Sequence, residues 1–147
     1  MALSEVPPAK VEALCLRLAK YKLENKELLT YLLFEADDEN SYIASVKSQL
    51  DEGFSKLNTT SLFLAKKTIR KVLRSANKYI KYSGQKQTEV EILLYFCHQM
   101  NQLPIAWDKS TAMENLFQRQ LIKIEKALST LHEDLQYDYR IEIEEIR

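Results

Sequence analysis

"NTTSLFLAKKTIRKVLRSANKYIKYSG", residues 58–84, decides the fold class. "NTTS" supplies a helix cap. Leu62, Ala65, Ile69, Val72, Ala76 and Ile80 then recur every three or four residues, the spacing of one helix face. Gly84 follows Ser83 directly, and glycine is the residue best suited to the left-handed position that ends a helix. The same stretch carries Lys66, Lys67, Arg70, Lys71, Arg74, Lys78 and Lys81 and no acid. It therefore raises a second question, about what that charge is for.

Working outward, the same periodicity covers most of the chain. Towards the N-terminus, Val11, Leu14, Cys15 and Leu18 form a helical stripe behind Pro7 and Pro8, which suit a helix entrance. Asn25 reads as an N-cap, with Glu27 in the first turn against the helix dipole. "ELLTYLLFEA", residues 27–36, is apolar over much of its circumference, which predicts a well-buried helix. Ile43, Val46, Leu50, Phe54 and Leu57 mark a third helix, in which Gly53 is a weak point or an early end.

Towards the C-terminus, Thr88 and Glu91 have capping-box spacing before "ILLYFC", the most apolar run and the expected centre of the fold. Thr111 and Glu114 repeat that spacing. Phe117, Leu121, Ile124, Leu128, Leu131 and Leu135 then alternate steps of four and three, a seam that packs lengthwise on a neighbouring helix. In the tail, Leu135, Tyr137, Tyr139, Ile141 and Ile143 alternate as a strand would. No second strand exists to pair with it, which favours a helical continuation or a loosely attached acidic tail over 136–147.

Composition agrees. Among 147 residues there are two glycines and three prolines, too few for the tight turns of a strand-rich domain. With 46% hydrophobic and 29% charged residues and zero net charge, the chain is expected to fold. The expectation is an all-α single domain over 1–147, of about six helices, built as an irregular bundle or a short helical-hairpin solenoid. "ELLTYLLFEADDEN" and "EVEILLYFCHQMNQ" match in apolar pattern at an offset of 62 residues, a faint echo that a solenoid would explain.

The run "NKELLTYLLFEADDE", the basic "AKKTIRKVLR…KYIKYSG" and "EVEILLYF" together resemble a bacterial family of small all-helical proteins classed as a domain of unknown function. The likeness spans about residues 25–100. It implies a helical fold and a bacterial cytoplasmic setting, and it brings no activity and no site residues with it.

Charge is unevenly distributed. From Gly53 to Thr88 there are nine basic residues and no acidic ones; the other 111 residues hold twelve basic and twenty-one acidic. Lys67, Lys71, Arg74, Lys78 and Lys81 share one helix face, and Lys66 and Arg70 widen it. Seven like-charge pairs three or four apart cost the isolated helix about 1.5–3.5 kcal/mol. Water and salt, the chain's own acids at 35–39 or 133–145, or an anionic partner could offset that. Tyr79 and Tyr82 lie nearby, as base-stacking groups or as half-buried helix-edge residues.

Signatures of other functions are missing from the sequence. It has no HExxH, no paired CxxC and no glycine loop for a phosphate, and "EADDEN" lacks the spacing of a calcium loop. His98 sits among apolar residues and reads as a satisfied core or edge side chain. Cys15 and Cys97 fall on apolar faces and read as reduced core thiols of a cytoplasmic protein. No run approaches the roughly 18 apolar residues of a membrane span, and the start has no secretory pattern. The expectation is a non-enzymatic interaction module without cofactor or metal, binding a protein partner or itself. The alternative is nucleic-acid or other polyanion binding through the basic helix 65–83.

Overall fold

Ser61 accepts a hydrogen bond from the Leu64 amide at 3.3 Å, and Gly84 takes φ +71° with its N–H on Ile80 O at 2.9 Å. Between these two stops runs α4, Leu62–Ser83. The computed structural model describes residues 2–147, and no strand occurs among them. The other helices are α1 (Pro8–Tyr21), α2 (Leu23–Thr30), α3 (Glu39–Ser55), α5 (Lys86–Asn101), α6 (Thr111–Leu128) and α7 (Glu133–Ile146). Short 3-10 turns lie at Ala2–Glu5 and Trp107–Lys109, and a π turn at Tyr31–Glu35. Among the described residues the fold is all-α, and its seven α-helices agree with the expected number of about six. The chain divides into two compact units, Met1–Asp38 and Glu39–Arg147.

In the first unit, Lys22 is extended (φ −142°, ψ 148°) and separates α1 from α2. Asn25 is not an N-cap: its Nδ2 donates to Leu18 O at 2.8 Å, satisfying a carbonyl near the end of α1. The "ELLTYLLFEA" segment is not a well-buried helix. It ends α2 and turns through the π segment, where Tyr31 is buried but Leu33 and Phe34 are 60% and 78% exposed. Cys15 is exposed, not a core thiol. Two helices side by side meet along one line only, so apolar residues off that line stay outside.

The second unit has a true interior. α5 is its centre: Val90, Ile92, Leu93, Phe96, Cys97 and Met100 are fully buried, and the helix packs against α3, α4, α6 and α7. One helix touching four others makes a bundle; in a solenoid each element meets only its neighbours. Val46, Leu50 and Phe54 of α3 and Ala65, Ile69, Val72 and Ala76 of α4 face this core as the periodicity predicts. Gly53 does not end α3. A methyl group there would lie 2.8 Å from Val72 Cγ2, so the glycine marks a close approach of α3 and α4.

In this second unit three helix boundaries differ from those expected. Thr88 lies inside α5, which starts at Lys86, and its buried hydroxyl donates to Glu39 Oε1 at 2.7 Å. Glu39 also accepts from Ser83 Oγ at 2.6 Å and Gln85 Nε2 at 3.0 Å, so one carboxylate fastens the α4–α5 turn to α3. Ser110, not Thr111, caps α6, accepting from the Met113 amide. The long seam breaks after Leu128. Ser129 and Thr130 return their hydroxyls to the carbonyls of Lys126 and Ala127, and His132 Nδ1 accepts from the Asp134 amide to start α7. Residues 133–146 are helical, with Tyr139, Ile143 and Ile146 buried, while Tyr137 and Ile141 of the strand-like alternation face water.

Candidate functional site

The buried stripe of α4 fixes its opposite side. With Ala65, Ile69, Val72 and Ala76 turned inward, Lys67, Arg70, Lys71, Arg74 and Lys81 are turned to solvent and Lys66 and Lys78 lie half-buried at the edges. Lys67, Thr68, Arg70, Lys71 and Arg74 line one shallow concavity. At 1.5 Å per residue, the strip from Lys67 to Lys81 is about 21 Å long.

Among the described residues, no carboxylate lies within ion-pairing distance of Lys67, Arg70, Lys71, Arg74 or Lys81. None of the acids of α7 reaches the strip: Glu144 pairs with Arg147 at 3.5 Å and Asp134 lies 3.6 Å from His132 Nδ1. That helix packs on α5 and α6, where Arg140 and Arg147 reach Glu125 at 3.1 and 3.5 Å. The tail therefore does not neutralise the basic face.

The aromatic groups sort differently from the sequence reading. Tyr79 and Tyr82 are half-buried and pack edge to face with centroids 6.2 Å apart, and Tyr42 Oη donates to Tyr79 O at 2.7 Å. They are helix-edge residues. Phe63, which the sequence reading passed over, is 66% exposed at the head of the strip, with Lys67 Nζ 4.6 Å from its ring centroid. The signal was present in the spacing of four between Phe63 and Lys67. The lysine over the ring is a cation–π contact that sets an exposed aromatic beside a row of cations.

A second concavity, of about 360 Å³, opens between α3, α5 and α7, lined in part by Lys47, Glu91, Tyr95, His98 and Glu142. Lys47 pairs with Glu91 at 3.2 Å and lies 5.3 Å from the Tyr95 ring centroid. Tyr139 Oη donates to Glu91 Oε1 at 2.9 Å, and Tyr95 Oη reaches both oxygens of Asp51 at 2.7 and 2.8 Å. Burial first, then the Asp51 hydrogen bond and charge, push the Tyr95 phenol up to about 12. Burial, reinforced by Glu91, raises the Glu142 carboxyl. His98 is an exposed edge residue with Nδ1 3.2 Å from Gln99 Oε1. Lys47, Glu91 and Tyr139 satisfy one another across three helices, as a polar staple does, and Tyr95 with Asp51 ties α5 to α3. No group of three His, Cys, Asp or Glu among the described residues is placed to hold a metal ion.

Fold and site together define an all-α protein with a helical bundle on which, among the described residues, Lys67, Arg70, Lys71, Arg74 and Lys81 of α4 are exposed with no carboxylate at ion-pairing distance. Among the described residues no helix is long and apolar enough to cross a membrane. Comparison of the chain with protein-family models, with curated proteins and with solved structures finds no match.

Proposed function

We propose that the protein is a small, non-enzymatic binding module of the bacterial cytoplasm whose α4 face holds the phosphate backbone of a nucleic acid. One observation carries this reading: Lys67, Arg70, Lys71, Arg74 and Lys81 are exposed on one strip with no ion pair among the described residues. Such a strip displaces the condensed counterions of a polyanion, and their release drives binding at low salt. Phosphates of one strand recur every ~3.4 Å along the duplex axis, so a strip of about 21 Å faces several at once. The exposed Phe63 ring adds a stacking surface that favours an unpaired strand.

Electrophoretic mobility of labelled single- and double-stranded oligonucleotides in a salt series tests this. Four or five phosphate contacts give a log–log salt slope of about −3 to −4.5, hence a loss of about 60- to 500-fold between 50 and 200 mM salt. Absence of binding at low salt overturns the proposal.

A further inference from the structure

The unit Met1–Asp38 has an apolar surface and almost no interior. No residue of α1 or α2 is buried, while Leu16, Leu18, Tyr21, Leu32, Leu33 and Phe34 are 49–78% exposed. At roughly 150–250 Å² per aromatic side chain, Tyr21 and Phe34 alone leave about 230–390 Å² in water, and the four leucines add to it. Exposed apolar area on that scale matches or exceeds the ~300–600 Å² of the largest patch of an ordinary monomer, the size that marks an interaction site.

Shape and charge narrow the occupant. Between α1 and α2 runs a groove of about 350 Å³ lined by Cys15, Leu18, Ala19, Leu28, Leu29 and Leu32, with Asn25 its one polar residue. The Asn25 Nδ2 is already bonded to Leu18 O. No charged side chain lines the groove, so the occupant is apolar. Residues 1–38 hold five basic and seven acidic side chains, a net charge of −2 that an anionic bilayer surface repels.

A unit under about 40 residues is usually held by disulfides, a metal or oligomerisation. Both cysteines are free, and no metal-holding group occurs among the described residues. We propose that the protein self-associates through this unit, the α1–α2 hairpins of two copies lying face to face about a two-fold axis. A two-fold interface must be self-complementary. The α1–α2 unit supplies both parts such a contact uses, an apolar groove and exposed leucines outside its lining, Leu16 and Leu33.

Sedimentation equilibrium of the full chain, over a range of micromolar concentrations, tests the proposal. The expected mass is twice the 17.2 kDa of one chain, halved by Leu18→Glu with Leu32→Glu while circular dichroism stays helical. Cys15 is the reporter of the interface: maleimide should label it slowly in the native dimer and several-fold faster in the double variant, Cys97 being buried. A wild-type mass of one chain at the highest concentration overturns the proposal. So does a dimer indifferent to both substitutions, or a monomer that sediments with vesicles of anionic lipid.

Discussion

Tyr139 of α7 donates its hydroxyl to Glu91 of α5 at 2.9 Å, and the same oxygen accepts Gln87 Nε2 at 3.1 Å. Burial pushes this phenol up to about 12, opposed by the Gln87 hydrogen bond and reinforced by the Glu91 carboxylate. Glu91 also holds Lys47 of α3, so one carboxylate joins three helices. Tyr139→Phe removes a hydrogen bond to a charged acceptor and is expected to lower stability by about 1–2 kcal/mol. Urea unfolding measures it. An unchanged midpoint would mean that Ile143 and Ile146 hold α7 without the polar staple.

Glu142 faces the same cleft, and its carboxyl is raised by partial burial and by the Glu91 charge, with Glu145 and Asp138 adding and Lys47 opposing. A carboxyl with a raised folded-state pKa keeps its proton over a pH range in which the unfolded chain has lost it. There the native state binds more protons, so stability falls as pH rises from the ordinary glutamate range through the raised value, then levels off. Glu142→Gln is expected to flatten that slope and raise stability at neutral pH. Thermal midpoints of both proteins across the mildly acidic range check this; parallel curves would refute it.

Gly53 and Val72 set the distance between α3 and α4. Glycine inside a helix costs about 1 kcal/mol relative to alanine, so propensity alone predicts that Gly53→Ala stabilises. The contact decides otherwise. The added methyl would stand 2.8 Å from the Cγ2 of a buried, β-branched valine that has little room to turn. Overpacking of this kind costs about 1–3 kcal/mol, giving net destabilisation. Val72→Ala in the same chain should recover part of the loss, and a double-mutant cycle reads the coupling directly. Additive effects would show that the helices simply move apart.

The helices were legible because burial in the second unit follows simple periodicity: Ala65, Ile69, Val72 and Ala76 point inward as their spacing demands. "ILLYFC" proved central because a helix apolar on most sides needs neighbours on most sides, and α5 has four. The same argument failed for "ELLTYLLFEA", which has the pattern of a buried helix and leaves Leu33 and Phe34 in water. Pattern reports the wish for burial; the number of partners decides whether it is met. Boundaries slipped for a related reason. Thr88 and Asn25 have the chemistry of caps but spend it on distant groups, Glu39 and Leu18 O, which no local spacing reveals. The basic strip was visible as a set of residues. That the acidic tail docks on α5 and α6, leaving the strip without those partners, required coordinates.

That separation of charges makes the α4 face testable by two measurements that should move in opposite directions. Lys71→Glu with Arg74→Glu converts the 67–71, 70–74 and 74–78 repulsions into attractions. The folded chain should gain on the order of 1 kcal/mol at low salt, because these groups are exposed. The gain should fade towards molar salt, where the screening length is about 3 Å. Oligonucleotide affinity should meanwhile fall, with the salt slope shallower by about 2, one for each phosphate that is no longer neutralised. Residues kept for the fold behave in the reverse sense. A lowered thermal midpoint with unchanged binding would assign these cations to the protein's own acids and remove the basis for a nucleic-acid face.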